Sequence, residues 1–432
     1  MNIVETSTDR LSKWFWSHTP VTIQRLRSQN LTEANWQLCQ TQERNHSEYC
    51  PAFPEMLELE LTKACNFMCT HCGTHGSSDQ HRTNNKSTPI DIALLDQLAQ
   101  DVFPYLRRIS LVGEGEPFMA PRYLLLHLFK QLERTNTGLD ISTNGALLDY
   151  ELMFAMLPVL GDICFSLDAA TKETFYLVRR SKDFDSVIET IKKLASLKQY
   201  ALSDRRRFQI QLSFALRKTN CSELIDFLRM AAELQVDGVY VRQLLVHFPS
   251  MASETLIDKP EILNPLIEQA SREAEKLGLS VFLPALINDS SHVIHSAPVI
   301  EVLSEAEVPQ KQVPEQPLDA NPQSKSRVNC AFLWRCMGVR STGHVFSCGC
   351  LSAPLIGDIK TNSLAEIWNC ETLRDMRKRL DTEDPHPACS HCWYREVSYF
   401  DSFEGSDFSL QNVSQPKEKT YDDSSFNSKD EG

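Results

Sequence analysis

From residue 56 onward, short apolar runs alternate with longer stretches whose apolar residues recur every three or four positions. The short runs read as buried strands, and the longer period reads as one buried face of a helix. The strand pattern falls on residues 56–63, 108–112, 139–142, 162–167, 207–216 and 238–243, with 279–283 as a marginal seventh. Between them, Val187, Ile188, Ile191, Leu194 and Leu197 line one helix face. Asn220, with Glu223 three residues on, forms a capping-box-like start before Leu224, Ile225 and Leu228. Strand–helix alternation marks βαβ units and a parallel sheet, so the expected fold class is α/β. Six repeats predict an open or partial barrel, two units short of a closed eight-stranded one.

The flanks break this rhythm. Residues 1–53, with Trp14, Phe15, Trp16 and Trp36 set among polar residues, predict a helical extension packed on a 54–290 core. Residues 291–327 are rich in Pro, Glu and Gln and cannot bury enough apolar surface to fold alone, which predicts a linker or mobile loop. Cysteines crowd back between 330 and 392, predicting a small metal-held domain over 328–400. The polar tail, 401–432, is expected to be disordered.

Composition narrows the function classes. With 42% hydrophobic and 23% charged residues, the chain is neither fibrous nor wholly disordered. It has no apolar run near the ~18 residues of a membrane span and no export signal at its start, so a cytoplasmic protein with no membrane partner is expected. A net charge of −13 offers no broad phosphate-binding surface, so nucleic acid is not an expected partner. Fourteen cysteines in that compartment point to metal binding more than to disulfides.

Three of them stand as Cys65-x3-Cys69-x2-Cys72, directly after the first core strand. Three thiolates on a loop can grip three irons of a [4Fe–4S] cube and leave the fourth without a protein ligand. The alternative is structural zinc, which needs four ligands and would require His71 or a distant residue to join. This motif resembles the radical S-adenosylmethionine (SAM) superfamily, whose partial (β/α)6 TIM-like barrel is compatible with six repeats. The resemblance spans about 53–283. It implies that SAM chelates the open iron and that its reductive cleavage yields a 5′-deoxyadenosyl radical. His71 stands where the family usually places an aromatic residue near the adenine.

Barrel enzymes carry their chemistry at the C-terminal ends of strands, and four consecutive ends here carry fitting residues. Gly113-Glu114-Gly115-Glu116-Pro117 resembles the family's Gly-Gly-Glu element, which implies that Gly115 and Glu116 meet the SAM ammonium, with Glu114 in place of the first Gly. By the same resemblance Ser142 and Asn144 contact the ribose, and Ser166 and Asp168 line the SAM pocket. Arg179 takes the position that faces the SAM carboxylate, Arg180 standing in for a Gly. From the residues alone, a turn at Ser142 and Asn144, a helix cap at Asp168 and a solvated Arg179 stay open.

Cys330-x12-Gly343-x4-Cys348, followed much later by Cys389-x2-Cys392, completes a tetrathiolate set that suits zinc or a closed [4Fe–4S] cluster. With 354–359 and 363–369, it resembles the SPASM/twitch auxiliary-cluster extension, in the shortened form with one cluster on these four. Cys336, Cys350 and Cys370 remain spare, and Cys39, Cys50, Cys164 and Cys221 read as structural. The resemblance implies hydrogen abstraction from a peptide or small-molecule substrate, with oxidation, epimerisation or maturation as outcomes. It also implies an auxiliary cluster for electron transfer and an electron donor such as flavodoxin or ferredoxin. A zinc-stabilised, non-enzymatic interaction protein is the competing class.

Overall fold

The computed structural model describes residues 21–201, 208–246, 249–287, 330–348, 353–390 and 392. Trp14, Phe15, Trp16, Cys350, the expected linker and the expected tail lie outside the described residues.

Helix α1 (Val21–Arg44) precedes the sheet. Seven strands then follow in chain order: β1 (Met56–Leu59), β2 (Arg108–Leu111), β3 (Gly138–Thr143), β4 (Leu160–Ser166), β5 (Gln209–Leu216), β6 (Gly238–Gln243) and β7 (Ser280–Phe282). They pair in parallel, each with its successor. The helices between them are α2 (Ser78–Asn84), α3 (Ile92–Asp101), α4 (Arg122–Thr135), α5 (Tyr150–Met156), α6 (Lys172–Arg179), α7 (Phe184–Ala201), α8 (Leu224–Glu233) and α9 (Pro260–Leu277). Because right-handed crossovers between consecutive parallel strands put every helix on the same side, one sheet face is covered and the other is left to line an interior. The strands show this directly. Leu57, Leu59, Ile109, Leu111, Leu139, Ile141, Ile163, Phe165, Ile210, Leu212 and Phe214 are buried beneath the helices, and a fully buried Leu or Phe contributes about 1.5–3 kcal/mol. The alternate residues Glu58, Ser110, Asp140, Ser142, Asp162, Cys164, Ser166, Gln211 and Ser213 form a polar inner face.

The described fold is thus mixed α/β with a parallel sheet, and the marginal seventh strand is present. The first strand ends at Leu59 rather than 63, because beyond it the Glu60 side chain leaves to accept bonds from Glu114 N–H (2.9 Å) and the Ser341 hydroxyl (3.0 Å). The expected capping box at Asn220 does not form. Its side chain serves Arg217 N–H (2.9 Å), Asp168 O and Ala215 O instead, and Glu223 takes the Thr171 and Thr174 hydroxyls at 2.6 and 2.5 Å.

The cysteine-rich segment joins the same sheet. It comprises α10 (Phe332–Arg335), β8 (Cys336–Val339), β9 (His344–Phe346), β10 (Leu355–Asp358), α11 (Leu364–Trp368), α12 (Glu371–Arg379) and α13 (Pro387–Ser390). Strand β8 lies parallel to β1, Met56 opposite Cys336 and Leu59 opposite Val339, and β9 and β10 extend the sheet antiparallel. Gly343, at φ 95°, makes the β8–β9 turn, a left-handed conformation that explains a glycine at that point of the motif. The chain around α1 straps this segment down. Asn369 makes a two-way bond with the Cys50 backbone (2.8 Å each way), Trp334 Nε1 donates to Ser47 O (2.9 Å), and Arg335 pairs with Glu55 (2.7 Å).

Candidate active site

The loop after β1 carries the first three thiols. Phe67 anchors it, buried and edge-on to Phe175 with ring centroids 6.0 Å apart. Cys65 N–H donates to Asn85 Oδ1 (2.8 Å), and His75 Nε2 meets Lys63 O (2.8 Å), so α2 and the loop brace each other. Each sulfur has a donor aimed at it: Phe67 N–H at Cys65 Sγ (3.4 Å), Arg179 at Cys69 Sγ (3.5 Å) and His75 N–H at Cys72 Sγ (3.2 Å). Burial nonetheless pushes the Cys65 thiol up to about 12 and raises Cys69, against the pull of Arg179. These thiols therefore become thiolates only when positive charge arrives, as thiolate ligands do on binding metal. Three thiols, one buried and two half-buried, each with a donor aimed at it, fit the ligand set of an iron–sulfur cluster.

The end of β2 buttresses this loop. A side chain at Gly115 would run into Thr62 O, Ala64 O and Lys63 C, so only glycine allows the contact. Glu116 N–H donates to Ala64 O (2.8 Å). The Glu116 carboxylate is buried and spans to the end of β3, accepting from Thr143 Oγ1 (2.6 Å), Asn144 N–H (2.8 Å) and Phe118 N–H (3.3 Å). Burial raises its pKa, and those three donors oppose the rise. Asn144 Nδ2 reaches Asn66 Oδ1 (2.7 Å), tying β3 to the cysteine loop.

A second node lies at the end of β4. Asp168 is fully buried with a left-handed backbone (φ 62°), accepts Ala215 N–H (2.7 Å) on one oxygen, and pairs with Arg179 (2.8 Å) and His71 (3.4 Å) on the other. Burial works to raise its pKa, but Arg179 and His71 outweigh it and hold the carboxyl below its usual range. The helix that follows is capped by Thr171, not Asp168. His71, Asp168, Arg179 and Cys69 are thus brought together. Gly115 and Glu116 after β2 and Asn144 after β3 form a neighbouring group packed against the same cysteine loop. Ser142 and Ser166 lie on the polar inner face, in register with Cys164 and Ser213.

Cys330, Cys348, Cys389 and Cys392 line one cavity, walled by Phe332, Leu333, Met376 and Leu380. Four thiols around an apolar chamber suit a fully ligated cluster. Cys336 is fully buried beside Met56 and Phe332, against Cys330 and Cys348, while Cys370 caps α12. Cys39 donates to Phe53 O (2.9 Å), a structural contact.

The radical SAM superfamily profile matches residues 59–203, which carry the cysteine loop and the ends of β2 to β4. The profile of the SPASM iron–sulfur cluster-binding domain matches 330–393. Residues 59–203 are a radical SAM domain and 330–393 a SPASM domain. Among curated relatives, a tungsten-containing aldehyde ferredoxin oxidoreductase cofactor-modifying protein of Pyrococcus furiosus is 22% identical over 345 residues, covering 80% of this chain and 88% of that protein. A probable GTP 3′,8-cyclase of Saccharolobus islandicus is 28% identical over 191 residues, and that match spans 44% of this chain and 57% of the cyclase. Streptococcus suis SuiB superposes with a TM-score of 0.53 at 14% identity, over 83% of this chain and 74% of SuiB. SAM-bound anSMEcpe superposes at 0.51 and 17% identity, over 79% and 88%. At such identities the likeness shows the fold.

This radical SAM enzyme therefore uses SAM and [4Fe–4S] clusters, and a zinc-only interaction protein is set aside. Several residues of its site were not assigned a role from the sequence: Asn66, Thr70, His75, Asn85 and Arg217. Only proximity in the fold reveals them. Among the described residues no helix is long and apolar enough to cross a membrane.

Proposed function

We propose that the enzyme holds its SAM-cleaving cluster on Cys65, Cys69 and Cys72 and one auxiliary cluster on Cys330, Cys348, Cys389 and Cys392, and that it oxidises a peptide substrate placed between them. When bound and reduced, an open-iron [4Fe–4S] cluster would supply the electron that splits the sulfonium C–S bond of SAM into methionine and a 5′-deoxyadenosyl radical, chemistry suited to removing a hydrogen atom from substrate. The observation that carries the reading is the course of β1. Its N-terminal residue, Met56, lies in a buried cluster with Ala331, Phe332 and Cys336, against which Cys330 and Cys348 pack, and its C-terminal end feeds the cysteine loop, so the polar inner face runs from one sulfur set toward the other.

The chain's own residues supply position and polarity. Glu116 and Asn144 hold the loop in place from β3, and Asp168 orients Arg179 and His71 beside Cys69. Gly115, Glu116, Ser142, Asn144, Ser166, Asp168, Arg179 and His71 make up the proposed SAM pocket, a reading supported by their common position at the ends of β2 to β4. Glu58, Ser110 and Cys164 face the interior where substrate would lie. A fully ligated auxiliary cluster has no free site, so it serves as electron acceptor, and a flavodoxin- or ferredoxin-type donor supplies the first electron. The peptide class is supported by a neighbour of the same fold bound to a peptide, anSMEcpe with Cp18Cys peptide, TM-score 0.50. The accompanying division is an N-terminal extension to residue 53, a SAM core over 54–290 and an auxiliary unit over 328–400. Anaerobic reconstitution followed by SAM and dithionite tests the reading. The expected result is iron for two cubes and release of 5′-deoxyadenosine, and a protein that takes up zinc alone and cleaves no SAM overturns it.

A further inference from the structure

Arg217 directly follows β5, and strand alternation turns its side chain to the same inner face as Ser213 and Ala215. It is only 3% exposed. One terminal nitrogen donates to Thr70 Oγ1 (2.8 Å), whereas Nε and the other terminal nitrogen are buried and meet no hydrogen-bond acceptor among the described residues. A buried guanidinium normally faces a carboxylate, because an uncompensated charge in the interior is strongly unfavourable. Asp168 and Glu254 act on it through space but make no contact with it, their hydrogen bonds and ion pairs lying elsewhere: Asp168 with Arg179, His71 and Ala215 N–H, and Glu254 with Thr219. The arginine has little freedom to turn away, since its backbone N–H is fixed by Asn220, itself fully buried and bonded to Asp168 O and Ala215 O.

Its single partner identifies what the charge is for. Thr70 sits between Cys69 and His71, and both its N–H and its hydroxyl donate to Val178 O (2.9 and 3.2 Å). Arg217 therefore grips the cysteine loop from behind, through the residue next to a ligand thiol. Thiolates around a cube are the negative charge this site lacks, and an added electron increases it. We propose that the buried charge of Arg217, carried against Thr70 of the cysteine loop, raises the reduction potential of the centre on Cys65, Cys69 and Cys72. This inference rests on the cluster assignment proposed above, and nothing in the motifs marks the residue.

The test uses the full chain, reconstituted anaerobically, with dithionite titration followed by electron paramagnetic resonance of the SAM-responsive signal. Absence of that signal in the wild-type protein would refute the functional reading itself, and it is read before any variant. With Arg217→Met, the oxidised-to-reduced equilibrium should shift at least tenfold toward the oxidised form, about 59 mV lower for one electron. Arg217→Lys keeps the charge and should stay near wild type, and Thr70→Val removes the grip but not the charge and should also stay near. If Arg217→Met does not take up iron, Arg217→Gln, which keeps an N–H donor for Thr70 but no charge, carries the test with the same tenfold shift expected and an unchanged potential refuting it. An unchanged potential in Arg217→Met, with SAM affinity lowered tenfold, would assign the guanidinium to SAM and overturn the proposal. An equal shift in Thr70→Val would overturn it too, since loop placement rather than charge would then set the potential.

Discussion

Gly115→Ala tests whether the end of β2 builds the cysteine loop. The added methyl would lie 2.5 Å from Ala64 O and 2.6 Å from Lys63 C, and would also meet Thr62 O, where ordinary contact begins at 3.4 Å. The Ala64 contact falls 0.9 Å short of that, and all three obstructing atoms are backbone. They cannot swing aside as a side chain would. The segment is also pinned, with Ala64 N–H on Thr62 Oγ1 (3.1 Å), Ala64 O receiving Glu116 N–H (2.8 Å) and Lys63 O against His75 Nε2 (2.8 Å). Overpacking of this kind costs about 1–3 kcal/mol, which lowers a melting midpoint by about 2–4 °C per kcal/mol in a domain of 150–250 residues. Cys65 is the next residue, so the displacement moves its sulfur relative to Cys69, whose neighbour Thr70 is tied to Val178. Misplacing a reacting group by about 1 Å can cost about 100-fold in rate. The assay is a thermal scan beside 5′-deoxyadenosine release from SAM and dithionite under anaerobic conditions. Gly138→Ala serves as control, its tightest contact being Arg107 O at 3.3 Å, only 0.1 Å inside ordinary contact, and it should cost clearly less than Gly115→Ala and leave SAM cleavage unchanged. A Gly115→Ala protein that melts and cleaves SAM like wild type would refute the buttress.

Cys69→Ala should abolish SAM cleavage, whereas Cys389→Ala should leave partial cleavage and block product formation; chromatography of 5′-deoxyadenosine separates them, and equal loss in both would count against separate roles. Arg377→Met strips buried acceptors Leu333 O (2.9 Å) and Trp368 O (3.0 Å) of their donor, at about 1–3 kcal/mol each, and should appear as early proteolysis of the cysteine-rich segment. Burial, reinforced by Asp140 and opposed by Arg108, raises the Asp162 carboxyl from 3.8 to about 7. The fold then binds a proton that the unfolded chain has released between those values, so Asp162 costs stability progressively as pH climbs through that window. Asp162→Asn should therefore gain on wild type from pH 4 to 7, by about 2–4 kcal/mol in urea unfolding, and a constant difference would contradict it.

The strands were legible because Leu57, Leu59, Ile109, Leu111, Ile163 and Phe165 are apolar at alternate positions, and burial under helices demands nothing subtler. The first cysteine loop was legible because its chemistry requires three thiols close together in sequence. What escaped is whatever long-range contact decides. Asn220 looks like a helix cap in isolation, but Asp168 and Ala215 on neighbouring strands claim its amide. Arg217 meets Thr70 across 147 positions, and the cysteine spacing gives no sign of what the residue between its ligands will touch. The parallel pairing of β1 with β8 joins segments 280 residues apart, and local periodicity carries no record of it. Strand length was overread at Lys63 for the same reason, since the partner of Glu60 is Ser341.

That pairing also explains how two sulfur centres can be kept at a fixed separation. Glu60 is buried just past β1 and accepts from Glu114 N–H, the Ser341 N–H and hydroxyl, and Arg340 (3.3 Å), so one carboxylate locks the β8–β9 turn to the Gly113–Gly115 turn that supports the cysteine loop. The other end of β8 leads back through α10 to Cys330, while Met56 of β1 fills the space beside Cys336. Both sulfur sets are therefore referenced to the same two hydrogen-bonded strands rather than to a flexible hinge. The C-terminal end of β1 leads to Cys65 and the N-terminal end of β8 leads back to Cys330, so the separation of the two thiol sets along the sheet is set by the length of this one ladder, about 3.3 Å per residue.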